Sequence, residues 1–590
     1  MRWGITDFKG LKSAELNLEE GTLTVLAGMN SSGKSSLLQS LLFAAQSLYH
    51  DGPVVLNGPL VRLGEAPDLV RNGSSNASIG LTLQFSNEDD DDAVDSDGAM
   101  KARIDLVPSS DDVTLRPQRI GVHILGDVDT SPLSLDKDHS RSEDLRAVEN
   151  ALGGTASTDI LHVKSLLNSE RRSLRTYVSF QGLVPTAVIQ LHNSDRIATK
   201  YRQALHPILT KLAETNSLQA ASSRLQKENE IFLFVREFTR LIASELDHHP
   251  TLSNSALHTL GVARNGNPYR FETTWSGLSF EDKEQAIELA VAARSRRPYI
   301  RVLIAEVAIF RTRNHGTQGL LESALDEEIH ESLQALRALA TNLFQLADRV
   351  QYLGPLRDEP RVVWNQWNEL ARGLPVGTRG EYSAVVLSRS SQHAVEYVGP
   401  TGESRRGTLD KAVNEWLGYL DIGDGVVARS FGKLGVGVTV DVAGQRRDLT
   451  AVGVGVSQAL PLVIAYLAAP RGSIFIVEQP ELHLHPAVQS RLADFLLNSR
   501  PDLTTIVETH SETFLTRIRR RVAEGAIEAG MVIVTFVEGT SDGAVTRNLQ
   551  LSEFGDLDEW PAGFLTNGEE DTAAILRANL KRLKAMPNAN

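Results

Sequence analysis

One short stretch near the start constrains this chain more than any other feature. Gly28-Met29-Asn30-Ser31-Ser32-Gly33-Lys34-Ser35 fits the phosphate-loop pattern G-x-x-x-x-G-K-[ST]. It sits in the required context. Thr22 to Ala27 is a β-branched and apolar run that reads as a buried strand. From Ser35 to Tyr49, residues Leu37, Leu38, Leu41, Leu42, Ala45 and Leu48 recur at helical spacing. A strand, a glycine loop and a helix bring backbone N–H groups and a helix N-terminus to a polyphosphate. Gly28, Asn30, Ser31, Ser32, Gly33 and Ser36 are the expected cradle. Lys34 is expected on the β- and γ-phosphates and Ser35 on a Mg²⁺ ion.

The chain has 590 residues, room for more than one domain and for sizeable cores. No apolar run reaches a membrane span and no signal peptide is visible, so a cytoplasmic protein is the expectation. There is no cysteine, which excludes disulfides and thiolate-held metals. A net charge of −14 argues against an all-round basic surface but leaves room for a local nucleic-acid groove.

Composition and pattern divide the chain into parts. Residues 1–132 hold the phosphate loop and an acidic low-complexity run at Asn87 to Met100, read as a solvated insertion. Residues 133–350 are mostly helical in pattern, for instance over Glu322 to Leu346. Two basic clusters, Arg171 to Tyr177 and Arg294 to Arg301, lie here; they read either as solvated helix ends or as phosphate contacts with a stacking tyrosine. Residues 351–540 are rich in glycine and short β-runs. Residues 541–590 form a small extension.

The later part supplies what a phosphate loop lacks. In Ile474-Phe475-Ile476-Val477-Glu478 an apolar run ends in an acid, the Walker B pattern. Thr505 to Val507 forms another buried run, with His510 beyond its end. Val452-Gly453-Val454-Gly455-Val456-Ser457 is a glycine turn feeding a helix, an anion site in form.

This order resembles the nucleotide-binding domain of ABC-type ATPases, within them the RecF, SMC and OLD branch. It is similar to standalone ATPases of that branch, Septu-type antiviral ATPases among them. The motifs are Gly28–Ser36, Gly354–Arg357 (GPLR), Gly380–Tyr382 (GEY), Val452–Pro461 and Glu478–Pro486. The resemblance covers both ends of the chain well and the middle poorly. It implies an α/β fold, an ABC-type P-loop ATPase head with a mixed β-sheet plus a mostly helical insertion. It implies ATP and Mg²⁺ as ligands, with Lys34 and Ser35 on phosphate and metal and Glu478 as the Walker B acid. Gly455 and Ser457 match the signature helix that meets the γ-phosphate across a head-to-tail homodimer. His510 matches the switch histidine, and Leu482 to Pro486 falls at the D-loop. Phe8 and Lys9 are expected near the base, and Gln84 is a possible Q-loop residue. The implied work is on DNA or on a separate effector such as a nuclease, in antiviral defence; a DNA-repair ATPase and a nucleotide-sensing scaffold are the alternatives.

One departure matters. ABC ATPases commonly place Glu after the Walker B acid, and this chain has Gln479. Glutamine orients water but accepts no proton. Three readings stay open: slow or partner-stimulated hydrolysis, Glu481 as the base, or an engineered trap.

Three other constellations compete with blander readings. Glu481, His483 and His485 alternate like strand-borne metal ligands, or they are D-loop residues with capping roles. Val534 to Asp542 superficially resembles the first acidic motif of a Toprim nuclease. The later Asp-x-Asp would have to be Asp556-Leu557-Asp558, which comes too soon. Arg517, Arg519, Arg520 and Arg521 suggest an acidic partner, or a helix with solvated charge.

Overall fold

The computed structural model describes residues 1–49, 52–74, 77–85, 99–125, 132–137, 142–152, 159–165, 175–192, 194–221, 228–248, 268–295, 299–306, 309–312, 319–364, 376–559 and 574–580. Most of the acidic run, residues 171–174 and 296–298 of the basic clusters, and residues 560–573 and 581–590 of the extension lie outside these. The chain folds as two compact units: Met1–Ser86 with Asp105–Arg116 and Leu343–Asn590, and Asn87–Ile104 with Pro117–Asn342.

In the first unit β1 (Arg2–Phe8) and β2 (Leu11–Asn17) form a hairpin. Then come β3 (Leu23–Gly28), α1 (Lys34–Ser47) and β4 (Ile79–Phe85). Beyond residue 342 follow β5 (Val350–Leu353), α2 (Ser383–Ser390), α3 (Leu409–Leu420), β6 (Gly425–Ser430), β7 (Val436–Val442) and β8 (Gln445–Asp448). Further along are α4 (Val454–Ala468), β9 (Ile474–Glu478), α5 (Pro486–Asn498), β10 (Thr504–Glu508), α6 (Glu512–Ala523), β11 (Val532–Thr540) and β12 (Gly543–Gln550).

The main sheet of this unit runs β5-β9-β10-β3-β11-β12-β2-β1-β4. From β5 to β11 the strands are parallel, and the remainder is mixed. Parallel strands covered on both faces need apolar side chains on both, which is why β9 and β10 are buried at every position. α1 buries Leu37, Leu38, Leu41 and Leu42, and its Ser40 accepts the Trp3 indole N–H at 2.9 Å. α4 is buried from Ala459 to Leu467, so it is apolar all round. Trp416, Phe495, Tyr466 and Phe475 form a chain of tilted and edge-to-face ring contacts that ties α3, α4, α5 and β9 into one core. β6, β7 and β8 form a small separate antiparallel sheet.

The second unit holds an antiparallel meander. Its strands are Leu115–Leu125, Leu133–Asp136, Asp159–Ser165, Arg175–Gln181, Val184–His192, Tyr299–Glu306 and Ile309–Thr312. Helices Ser194–Thr215, Glu228–His248, Pro268–Ser276 and Phe280–Ser295 close a core around Leu205, Val235, Phe238, Phe271 and Trp275. The helical pattern over 322–346 falls within the helix Gly319–Arg349; the strands of this unit are what periodicity does not reveal. Among the described residues no helix is long and apolar enough to cross a membrane.

Candidate functional site

The parallel strands β5, β9, β10 and β3 end on one edge, and their C-terminal ends carry the chemistry. In open α/β sheets ligands bind at that edge. Gly28 ends β3 with φ 144°. A Cβ there would lie 2.5 Å from the Val537 carbonyl oxygen on neighbouring β11, so only glycine fits. A Cβ on Gly33 (φ 105°) would meet Leu11 Cδ2 at 2.8 Å. The loop is therefore clamped between β11 and β2. Lys34 is 4% exposed, and its ammonium donates to the Gly28 and Met29 carbonyls at 2.9 and 2.8 Å. Burial lowers its pKa, opposed by the Glu508 carboxylate. The buried Ser32 hydroxyl has no partner. A cradle that only glycine completes, a buried cation and an orphaned hydroxyl together fit a polyphosphate.

Two carboxylates end adjacent strands here, and one of them, Glu508, meets this loop and lines the cleft while Glu478 does not. Glu478 ends β9 and Glu508 ends β10, and the two are register partners. Glu508 accepts from the Ser35 hydroxyl at 3.1 and 3.0 Å through its two oxygens. Glu478 accepts from the Tyr352 phenol of β5 at 2.7 Å. Burial, then the Glu478 charge, pushes Glu508 up to about 7. Burial also raises Glu478, against the Tyr352 hydrogen bond. Two buried acids this close titrate as a pair. Burial and Glu478 raise the Tyr352 phenol, which stays a neutral donor.

Lys34, Ser35, Glu508, Gln479 and His510 line one cleft of about 550 Å³ with Asn30, Ser31, Ser32, Gly33 and Ser36. Gln479 has φ 44°, and its N–H donates to the Glu508 carbonyl at 2.7 Å. That left-handed backbone is strain held at a site, on the order of 1 kcal/mol. Glu481 is buried, and its Oε1 accepts the His510 backbone N–H at 2.7 Å. Burial and nearby Lys34 lower the His510 imidazole, leaving it neutral near pH 7.

Other expected residues fall elsewhere. Gly455 and Ser457 do not line the cleft of their own chain. Ser457 is buried in the first turns of α4, its hydroxyl donating to the Val454 carbonyl at 2.9 Å. Phe8 is fully buried against Phe43, and the Lys9 ammonium donates to Gln39 at 2.7 Å, so neither lines the cleft. Its far wall is made by Gly10 and by Gly539, Thr540, Gly543 and Ala544 around the β11–β12 turn. Gln84 lies on β4 opposite Arg2 and is not a lining residue.

The GPLR and GEY segments brace each other. Gly354 N–H donates to the Thr378 carbonyl and Asp358 N–H to the Arg379 carbonyl, both at 2.8 Å. Gly380 (φ 74°) lies so close to α4 that a Cβ would sit 2.5 Å from Pro461 Cβ.

The remaining constellations resolve into structural roles. His485 caps α5, its Nδ1 accepting the Ala487 N–H at 3.2 Å. The arginines of α6 are spent internally. Arg517 and Arg521 bind Asp494, Arg519 reaches the Gly555 carbonyl and Asp556, and Arg520 pairs with Glu524. Glu538 lies on β11 of the main sheet, and Asp558 accepts from the Gln550 N–H at 3.1 Å.

Sequence reasoning gives no role to Glu508, Tyr352 or the β11–β12 wall. Glu508 had a signal: Thr504 to Val507 ending in an acid is the same pattern that singles out Glu478.

A phosphate loop between a parallel strand and a helix, with acids on neighbouring strand ends, defines a P-loop ATPase head. Two family models of AAA-type ATPase domains each match part of the chain. Residues 4–273 match the family described as AAA ATPase domain, and residues 294–516 match AAA domain, putative AbiEii toxin, Type IV TA system. A search of curated proteins gives no match. Among solved structures, the chain is similar to the Smc head domain with an extended coiled coil bound to the C-terminal domain of ScpA from Pyrococcus furiosus. That pair is 13% identical, covers 93% of this chain and 96% of that one, and has a TM-score of 0.34. It is also similar to the Smc head domain with a coiled coil and joint from Pyrococcus yayanosii, at 14% identity, 94% and 97% coverage and a TM-score of 0.33. The SMC head domain from Thermotoga maritima follows at 8% identity, 93% and 98% coverage and a TM-score of 0.31.

Proposed function

We propose that this ATPase binds Mg·ATP in the cleft, hydrolyses it slowly, and works as a head-to-tail homodimer around two nucleotides. The carrying observation is that Lys34, Ser35, Gln479 and His510 share one cleft while Gly455 and Ser457 do not line it. A second copy supplying its α4 N-terminus would complete the phosphate contacts. Exposed apolar side chains accord with this: Met29 in the phosphate loop is 68% exposed and Val454 at the start of α4 is 58% exposed.

Gly28, Asn30, Ser31, Ser32, Gly33 and Ser36 would hold the phosphates by backbone and hydroxyl groups, and Lys34 would neutralise them. Ser35, Glu478 and Glu508 are hard oxygen donors suited to Mg²⁺ or its waters. Bound there, Mg²⁺ would supply charge stabilisation for phosphoryl transfer. Gln479 would orient the attacking water without taking its proton, which makes turnover slow. The step so licensed is directed at DNA or at a separate effector such as a nuclease, in antiviral defence; the toxin wording of one matching family accords with that setting.

A second reading, a nucleotide-sensing scaffold, is favoured by Gln479 alone. Steady-state phosphate release separates the two. Turnover above that of Lys34→Ala, with or without DNA, is expected. Equal rates for the two proteins would leave the scaffold.

A further inference from the structure

Arg71 ties the far wall of the cleft to the end of β1. The segment that carries it runs beside that strand: the Arg71 N–H donates to the Asp7 carbonyl at 2.9 Å, and Phe8 bridges to Val70. The Arg71 side chain is 16% exposed and reaches in two directions. Its Nε donates to Asp7 Oδ1 at 2.7 Å, and its Nη1 donates to the Asp542 carbonyl of the β11–β12 turn at 2.8 Å. The Ser74 hydroxyl donates to the other Asp7 oxygen at 3.2 Å. Gly543, next in the turn, has φ 114°, and a Cβ there would lie 3.1 Å from Arg71 Cδ and 3.1 Å from the Gly10 carbonyl oxygen. The turn is therefore seated directly on Arg71. The wall it holds has few side chains of its own. Gly10, Gly539, Thr540, Gly543 and Ala544 make it, and the Thr540 hydroxyl is spent on the Gly543 carbonyl. Such a wall presents shape and backbone, so its place depends on what braces it from behind. It also bears on the phosphate loop, since a Cβ on Gly33 would lie 3.7 Å from Ala544 Cβ. Lys12 pairs with Asp542 at 3.3 Å, but those side chains are 49% and 73% exposed, and exposed pairs contribute little. The sheltered, charge-assisted bonds of Arg71 are the stronger brace.

We propose that Arg71 is a positioning residue of the nucleotide site. It fixes the β11–β12 wall against the phosphate loop and so sets how tightly the cleft holds Mg·ATP, not how fast the bound nucleotide is split. Gln479, Glu508 and His510 stand at the ends of β9 and β10, across β3 from β11, so slack in the wall leaves them in place. The bracing stands on hydrogen bonds within one chain. Only its consequence for affinity rests on the reading of the cleft as the ATP site.

Two readouts test this separately. Hydrogen exchange reports the bracing itself. In Arg71→Ala the Ala544 amide, which donates to the Gly10 carbonyl at 2.8 Å, is expected to exchange roughly tenfold faster, while β10 amides are unchanged. Titration with Mg·ATP and steady-state kinetics report the consequence. Kd and KM are expected to rise roughly tenfold, with kcat within about twofold of the parent. Arg71→Lys keeps the charge but not the fork that reaches both partners, and is expected to recover only part of each loss. Asp7→Asn removes the counter-charge while keeping a residue type that tolerates the φ of 55° at this position. It is expected to move both readouts in the same direction by a smaller factor, and it decides the question if Arg71→Ala does not fold. Lys12→Ala is expected to stay within about twofold of the parent in both. Unchanged Ala544 exchange in the folded variant overturns the proposal. So does faster exchange at unchanged affinity, a fall in kcat at unchanged KM, or an equal loss in Lys12→Ala. A parent chain that binds no Mg·ATP overturns the reading of the cleft and not the bracing, which the exchange result still decides.

Discussion

At the scale of the residue, Gln479 decides how this ATPase differs from one with a carboxylate at that place. Its backbone is held in the left-handed region, and it lines the same cleft as Lys34 and Ser35. Gln479→Glu changes one amide to a carboxylate of the same length and shape. If the amide limits the rate, the variant turns over faster by about 10²-fold, the usual contribution of a positioned general base. A steady-state assay at matched protein concentration reads this, and an unchanged rate would show that another step is limiting. The phosphate loop, Glu478 and His510 were legible in the sequence because each follows a recognisable apolar run. Glu508 was not singled out, because its proximity to Ser35 depends on β10 inserting between β9 and β3, which is a matter of strand order. Arg357 stands in the sequence only as the last residue of GPLR, since burial without a partner leaves no trace there.

At the scale of the element, the packing of α5, α6 and α3 turns on one buried acid. Asp494 of α5 is 2% exposed and binds Arg517 and Arg521 of α6, both at 2.6 Å. It also accepts from Tyr419 of α3 at 2.5 Å. Burial works to raise the Asp494 carboxyl, but its hydrogen bonds from Arg521, Arg517 and Tyr419 outweigh this and hold it below the ordinary range. A carboxyl whose folded pKa lies below its unfolded value, roughly 4, contributes its full stability above that value. That stability is lost as pH falls through the folded pKa. Asp494→Asn leaves two guanidinium groups without their counter-charge and is expected to cost roughly 3 kcal/mol. Urea unfolding at pH 7 and at pH 3 checks both claims, and the gap between parent and variant should shrink at the lower pH. An equal gap at both pH values would refute the electrostatic account. Helices such as Gly319–Arg349 were legible from period and length. The strands of the second unit were not, because short antiparallel runs set between helices carry little period of their own.

At the scale of the whole molecule, the proposed pairing makes each nucleotide site a joint product of two chains. Residues that complete one site then lie on different copies, and two inactive variants can rescue each other. Lys34→Ala removes the phosphate contact of its own loop. Gly455→Asp places a negative charge at the start of α4, where it would repel the partner's nucleotide. A Cβ at Gly455 meets Leu484 Cδ2 at 3.5 Å, an ordinary contact, and an acid in a first helical turn favours the helix, so this variant is expected to fold. Each variant alone forms dimers with no intact site. In an equal mixture half the dimers are mixed, and each mixed dimer has one intact pair of Lys34 and Gly455. Activity is therefore expected to return to about a quarter of the parent rate under random exchange between identical interfaces. Light scattering, on a variant such as Gln479→Ala that slows turnover, is expected to show a mass shift from one chain to two when ATP is added. A mixture that stays inactive while the mixed dimer is seen to form would mean that both groups serve the same site within one chain, and the head-to-tail arrangement would fall.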